Sequence, residues 1–311
     1  MDIYFPIAGL PLNLFMVLGI GGVVGFLSGL FGVGGGFLLT PLMMMVGIPP
    51  AVAAATGSNQ MVGTAASAAF AHWRMGNVDF KMGGVILAGG LVGGTAGVQL
   101  VGELRALGNF EFVMKIIYVI MLGGVGGAML LESVHSLRKG RGEAAAELAE
   151  ISEGLWSKLC YKLPWHVNFE KSGLSTSVLF PFFIGGLVGL LSALLGVGGG
   201  FIMVPAMIYI IRMPTLVAIG TDLFQMVLSS ANVAIQQAYY NQTVDVLLAL
   251  LLLAASAVGA QLGAMVSLRL KGEHLRVLLA ACVLAVTVKL FLDLALTPSQ
   301  PIFLTPVELG H

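Results

Sequence analysis

Four glycines fall within five residues at Gly32, Gly34, Gly35 and Gly36, and the run returns at Gly196, Gly198, Gly199 and Gly200, each time followed by a proline, Pro41 and Pro205. Glycine costs about 1 kcal/mol against alanine in a helix interior, so a helix should break at each run. In an apolar chain the freed amide groups must be buried in protein or line a wet cavity, because lipid cannot satisfy them. A helix restarting at Phe37, and its twin at Phe201, would aim free N–H groups and the positive end of its dipole at the break, a setting that suits a small anion. Close helix packing is the other use of such glycines, and it is the reading given to the isolated Gly21-x-x-x-Gly25, Gly93-x-x-x-Gly97 and Gly185-x-x-x-Gly189 spacings. A dinucleotide fingerprint is discarded for want of a strand, helix and downstream acid around it.

Polar side chains follow each run at helical spacing. Thr56, Gln60, Thr64 and Ser67 share one helix face, as do Thr221, Gln225, Ser229, Asn232 and Gln236. Ser58 and Asn59 add polar groups to the start of the first stripe and Asp222 to the second. Thr56, Ser58, Asn59, Gln60, Thr221 and Gln225, beside the breaks, are read as lining a substrate cavity with Gly34, Gly35, Gly36, Gly198, Gly199 and Gly200. For Thr64, Ser67, Ser229 and Gln236, ordinary hydrogen bonding between helices remains an open alternative.

Asp222 stands apart, because an acid near a helix centre costs roughly 2.5–3.5 kcal/mol on insertion scales and so faces water, a partner or a function. Its expected role is to exchange a proton or bind a coupling cation; the alternative is a cap at a helix start in Gly220-Thr221-Asp222. Asp79 and Asp245 correspond to each other and are read as caps of the helices that follow them. His72, Trp73 and Arg74 are read as an anchor at a membrane interface. No H-E-x-x-H zinc site or second acid equivalent to Asp222 is present, so no catalytic residue, metal or cofactor is expected.

The elements that must position these residues follow from composition. Of 311 residues 58% are hydrophobic and 10% charged, the profile of a membrane protein, and 15 basic against 15 acidic side chains leave no footprint for nucleic acid. Apolar stretches lie near 12–31, 36–47, 51–71, 83–101 and 111–131, and again near 176–195, 200–211, 216–238, 246–267 and 275–294. Eight approach the roughly 20 residues a spanning helix needs, while those starting at Gly36 and Gly200 are half-helices. Cys160 and Cys282 have no paired spacing. The first 73 residues hold no Lys or Arg, so the start lacks the basic region of a signal peptide and is expected to stay in the protein.

The glycine runs repeat at an offset of 164, Thr56 and Gln60 recur at Thr221 and Gln225, and Val78-Asp79 recurs at Val244-Asp245. The expected fold is an all-α polytopic membrane protein of two repeats, 1–131 and 173–311, each of about five helical elements. An odd number of elements inverts the second repeat, an architecture whose substrate site lies at mid-membrane. Residues 132–172 form a hydrophilic loop holding six of the 15 basic residues, placed in the cytoplasm by the retention of Lys and Arg on that side. Arg74 with Lys81, Arg212, and Arg269 with Lys271 and Arg276 then fall inside, both termini fall outside, and Arg105 alone disagrees. Residues 143–159 have the spacing of a short amphipathic helix.

The duplicated glycine run with its phenylalanine and proline, the segments Ala55-Thr56-Gly57-Ser58-Asn59-Gln60 and Ala218-Ile219-Gly220-Thr221-Asp222, and the central loop together resemble the sulfite exporter TauE/SafE family over nearly the whole chain outside 132–172. The resemblance implies a transporter in the cytoplasmic membrane for small sulfur-containing anions such as sulfite, sulfoacetate or other organosulfonates, coupled to an ion gradient, with that anion, the lipid bilayer and a proton or cation as its partners. An anion channel, or a scaffold acting through the central loop, are the competing classes.

Overall fold

The computed structural model describes residues 2–31, 36–139, 165–169, 171–267 and 272–296. Ten helices make up most of the described residues. The first half runs α1 (Leu14–Phe31), α2 (Gly36–Met45), α3 (Pro50–Arg74), α4 (Phe80–Ala106) and α5 (Phe110–Lys139). The second runs α6 (Leu179–Leu195), α7 (Gly200–Pro205), α8 (Thr215–Gln236), α9 (Val246–Ser267) and α10 (Gly272–Ala295), with single π turns at Ala206–Ile210 and Gln237–Asn241 continuing α7 and α8. The ten apolar stretches of the sequence are these ten helices. The chain is an all-α polytopic membrane protein.

Each half opens on an antiparallel hairpin that hydropathy did not reveal. Strands β1 (Asp2–Phe5) and β2 (Leu10–Asn13) precede α1, and β3 (His166–Phe169) and β4 (Leu174–Ser177) precede α6. Four-residue strands are too short to register in a window sized for a membrane span. Helix α5 runs on to Lys139, into the stretch expected to be loop. The amphipathic helix expected at 143–159 lies outside the described residues.

Among the described residues three helical stretches are long and apolar enough to cross a membrane, Phe80–Ala106, Thr215–Asn241 and Val246–Gly263. Shorter apolar helices include Gly36–Met45, whose 10 residues reach roughly 15 Å, half the roughly 30 Å hydrocarbon thickness. Phe15, Val23, Val92, Ile120, Phe183, Leu187, Ile235 and Val258 are exposed on outward faces, where lipid rather than water is the matching solvent.

The two halves are knitted together by glycine contacts. Helix α1 lies on α9: a Cβ added at Gly21 would meet Leu252 and Ala255, one at Gly25 would meet Ser256, and one at Gly259 would meet Gly22 and Phe26. Helix α4 lies on α6 in the same way, with Gly89 against Phe182, Gly93 against Gly186 and Gly97 against Leu190 and Ala193. Contact positions advance together along both members of each pair, so each pair runs parallel. The register repeats as well, since Gly21 meets Leu252 as Gly185 meets Ile86, and Gly25 meets Ser256 as Gly189 meets Gly90. These glycines serve close backbone approach, the packing role read for their spacing. Between the two pairs, α3 packs on α8, and α5 packs on α10.

Both matched aspartates are helix caps, as their position in short turns suggested. Asp79 Oδ1 accepts from Met82 N–H at 3.0 Å, and Asp245 Oδ1 accepts from Leu248 N–H at 3.1 Å. The second carboxylate oxygen of each holds a hairpin turn of the other half. Asp79 Oδ2 accepts from the backbone N–H and the hydroxyl of Ser172, and Asp245 Oδ2 accepts from Ile7 N–H at 3.3 Å. Arg105, the basic residue that broke the charge pattern, donates to the Asn241 carbonyl at 2.8 Å and so closes the end of α8.

Candidate functional site

The second glycine run breaks the helix as its composition requires. Gly196 (φ 70), Gly198 (φ 73) and Gly199 (φ 87) all adopt left-handed backbone, ending α6 and restarting the chain as α7 at Gly200. Space forbids larger residues here too, since a Cβ at Gly196 would strike Ala54 backbone and one at Gly198 would stand 2.7 Å from Met61 Cγ. In the first half, α1 ends at Phe31 and α2 begins at Gly36; Gly34 and Gly35 lie outside the described residues.

The two restarted helices meet. The Phe37 and Phe201 rings, second residue of α2 and of α7, stack with centroids 4.7 Å apart. Gly36 and Gly57 fit against the same break: a Cβ at Gly36 would stand 3.1 Å from the Val197 carbonyl, and one at Gly57 would stand 2.6 Å from the Gly196 carbonyl and 2.9 Å from Thr40 Oγ1. Tyr118 of α5, fully buried, donates its hydroxyl to the Leu195 carbonyl at the end of α6. Thr40 and Tyr118 were missed in the sequence. Their only signal is an isolated hydroxyl in an apolar stretch, Gly36–Met45 for Thr40 and residues 116–131 for Tyr118.

The polar residues of α3 divide by how they are satisfied. Thr56 and Gln60 are 0% and 1% exposed, and neither Thr56 Oγ1 nor Gln60 Oε1 has a hydrogen-bond partner. One turn apart on one face, they present an unused hydroxyl and an unused carbonyl oxygen where desolvation without a partner costs about 1–3 kcal/mol each. Ser58 and Asn59 are bonded back to their own helix, to Ala54 and Ala55 carbonyls. So are Thr64, to Gln60, and Ser67, to Thr64.

On α8 the stripe faces α4. A Cβ at Gly90 would stand 3.6 Å from Gln225 Oε1 and 3.7 Å from Ser229 Cβ. Gln236 donates to Thr95 Oγ1 at 2.8 Å and to Asn232 Oδ1 at 3.0 Å, so for Gln236 the reading of hydrogen bonding between helices holds. Asp222 and Gln225, 1% and 3% exposed, form one unit in which Gln225 Nε2 donates to Asp222 Oδ1 at 2.9 Å. The alternative of Asp222 as a helix-start cap is overturned, because α8 begins at Thr215, two turns earlier. Thr221 Oγ1 accepts from Asp79 N–H at 2.9 Å. Met61 and Met226, neighbours of Gln60 and Gln225, share one buried cluster between α3 and α8.

This arrangement combines broken helices, buried orphan polar atoms and one buried carboxylate inside an apolar bundle. The chain matches the family described as sulfite exporter TauE/SafE over residues 17–290. It is 31% identical over 219 residues to a probable membrane transporter protein of Xylella fastidiosa, covering 68% of this chain and 69% of that one. It is 27% identical over 270 residues to the probable membrane transporter protein YjnA of Bacillus subtilis, covering 86% of this chain and 95% of that one. No solved structure gives a significant match. Matched across nearly its whole length, the chain belongs to the sulfite exporter TauE/SafE family and is a membrane transporter of that type.

Proposed function

We propose that this protein is a secondary transporter that exports small sulfur-containing anions, such as sulfite, sulfoacetate or other organosulfonates, across the cytoplasmic membrane by alternating access. The observation that carries this reading is the meeting of α2 and α7 at stacked Phe37 and Phe201, next to the buried, unpartnered Thr56 Oγ1 and Gln60 Oε1. The anion is assigned to the glycine breaks, with Gly34, Gly35, Gly36, Gly198, Gly199 and Gly200 as its expected lining. Free N–H groups at the start of α2 and the Thr56 hydroxyl donate to its oxygens. When the anion is bisulfite, Gln60 Oε1 accepts from the oxygen that carries its proton. Ser58, Asn59, Thr221 and Gln225 complete the lining. Neutral donors suit a carrier, because a site without a buried cation releases what it binds.

Two inverted repeats divided by the hydrophilic 132–172 segment, with that segment in the cytoplasm and both termini outside, are the architecture we infer. The parallel course of α1 with α9, and of α4 with α6, supports the inversion. Helix α9 is the fourth element of its half, so it opposes the first element of that half if successive elements alternate in direction. An α1 parallel to α9 is then antiparallel to α6, its own counterpart. Asp222, held by Gln225, carries the coupling proton or cation.

Uptake of radiolabelled sulfite and a short organosulfonate into proteoliposomes, with and without an imposed pH gradient, tests the reading. Saturable, gradient-driven flux that Asp222→Asn uncouples is the expected result. Flux that does not saturate would make the protein a channel, and absence of flux for both anions would remove them as substrates.

A further inference from the structure

The two halves match in register, yet one contact made on one face of the bundle is missing on the other. On the first face the turn between α3 and α4 is seated on the early turns of α8. Asp79 N–H donates to Thr221 Oγ1 at 2.9 Å, and Phe80 meets Phe224 edge to face at 5.1 Å. Gly220 lies against the Asn77 carbonyl, and a Cβ at Gly83 would stand 3.0 Å from Phe224 Cδ1 and 3.2 Å from Thr221 Cγ2. The counterparts on the other face are Thr56 for Thr221, Asp245 for Asp79, Ala55 for Gly220, Asn59 for Phe224, Val246 for Phe80 and Ala249 for Gly83. There Thr56 Oγ1 has no partner although it is fully buried.

We propose that the seat of residues 77–83 on 220–224 is a closed gate, with the Asp79 N–H bond to Thr221 as its bolt, and that the opposite face has no equivalent bolt in this state. The asymmetry is written into the chain as well as into the conformation. Two glycines permit backbone approach and two phenylalanines cover it on one face, whereas the other carries alanines, a valine and an asparagine. The aspartates themselves stay put. Asp79 anchors the β3–β4 turn and Asp245 the β1–β2 turn, and each of these bonds lies within a tightly packed pair, α4 with α6 or α1 with α9. The moving joint is therefore α8 against α4, and Thr221 is a positioning residue that releases the turn when this face opens. Its hydroxyl oxygen, bound to the Asp79 N–H in the closed state, becomes free to face the cavity in the open one. This inference rests on the alternating-access reading above.

Side-specific labelling tests it without a substrate. In a Cys160→Ser, Cys282→Ser background, Ser58→Cys reports access to the cavity through a membrane-impermeant maleimide applied from either side of oriented vesicles. Thr221→Val removes the acceptor at nearly constant volume and should speed labelling roughly two- to tenfold from the face that bears residues 75–79, with no gain from the other. Thr221→Ser should restore the slow rate. Phe224→Asn, which installs the counterpart's residue, should also speed labelling from that face and serves if Thr221→Val does not fold. Thr64→Val, the same replacement at an α3 hydroxyl that is bonded to its own helix, should leave both rates unchanged. Equal labelling in Thr221→Val and the parent background, or the same acceleration in Thr64→Val, would overturn the gate. Saturable flux in the native protein alongside that result would leave the transporter reading standing.

Discussion

Phe37 and Phe201 stack with centroids 4.7 Å apart and planes 11° from parallel, so the first turns of the two half-helices touch through equivalent residues. Both rings are nearly fully buried, 2% and 4% exposed. The pair joins the two halves at the starts of α2 and α7, and the backbone just before Phe201 is left-handed at Gly198 and Gly199. Aromatic contact holds together a region that regular backbone bonding cannot.

Loss of either ring should therefore be costly and the two losses should not add. Phe37→Ala and Phe201→Ala are each expected to destabilise by about 3–5 kcal/mol. The double variant should fall short of the sum by about 0.5–1.5 kcal/mol, the worth of the stacked pair. Thermal melting in detergent across the four proteins measures this, and additivity would mean that the rings act separately.

Gly196 should tolerate no side chain, whereas Gly22 should. Gly196→Ala forces a left-handed alanine, about 1–2 kcal/mol, and drives its Cβ into the Ala54 backbone. A Cβ at Gly22 meets nothing within 4 Å. Monodispersity and melting of the purified variants should separate the two, with Gly196→Ala aggregated or strongly destabilised and Gly22→Ala native-like.

Asp222 and Gln225 should behave as one unit. Gln225→Leu strips a buried carboxylate of its donor and should destabilise by about 1–3 kcal/mol, a cost that Asp222→Asn, Gln225→Leu together should largely relieve. Asp222→Asn alone should fold and lose the response of transport to a pH gradient. Melting curves and flux on the same preparations check both statements.

The polar stripes should divide by function along their length. Thr56→Val and Gln60→Leu are expected to lose most transport while gaining stability, since each removes a buried atom without a partner. Gln236→Ala breaks the bond to Thr95 and should cost about 0.6 kcal/mol with transport kept. Flux normalised to folded protein distinguishes them, and a transport loss in Gln236→Ala would extend the cavity along α8.

The caps at Asp79 and Asp245 should be equivalent. Asp79→Ala and Asp245→Ala each remove a helix cap worth about 0.5–2 kcal/mol and also release a hairpin turn. Limited proteolysis should cut near Ser172 in the first and near Ile7 in the second. Cleavage at the same turn in both would disprove the paired anchoring.

Among the described residues ten helices, two of them short, and the break at Gly196, Gly198 and Gly199 were legible because hydropathy and glycine cost act within one segment. Membrane hydrocarbon selects length and apolarity residue by residue, and left-handed backbone favours glycine, as at Gly196, Gly198 and Gly199. The repeat was legible too, since duplicated residues keep their register. The pairings of α1 with α9 and α4 with α6, the Phe37–Phe201 stack, the hairpins held by Asp79 and Asp245, and the Thr221 bond were settled only by tertiary packing. Each joins residues from opposite halves of the chain, where spacing carries no information about distance. Thr56 and Thr221 make the point: equivalent in sequence, they differ in that one hydroxyl is left without a partner and the other receives Asp79 N–H. Local chemistry determines what a residue can offer, and the packing of distant segments decides whether that offer is taken.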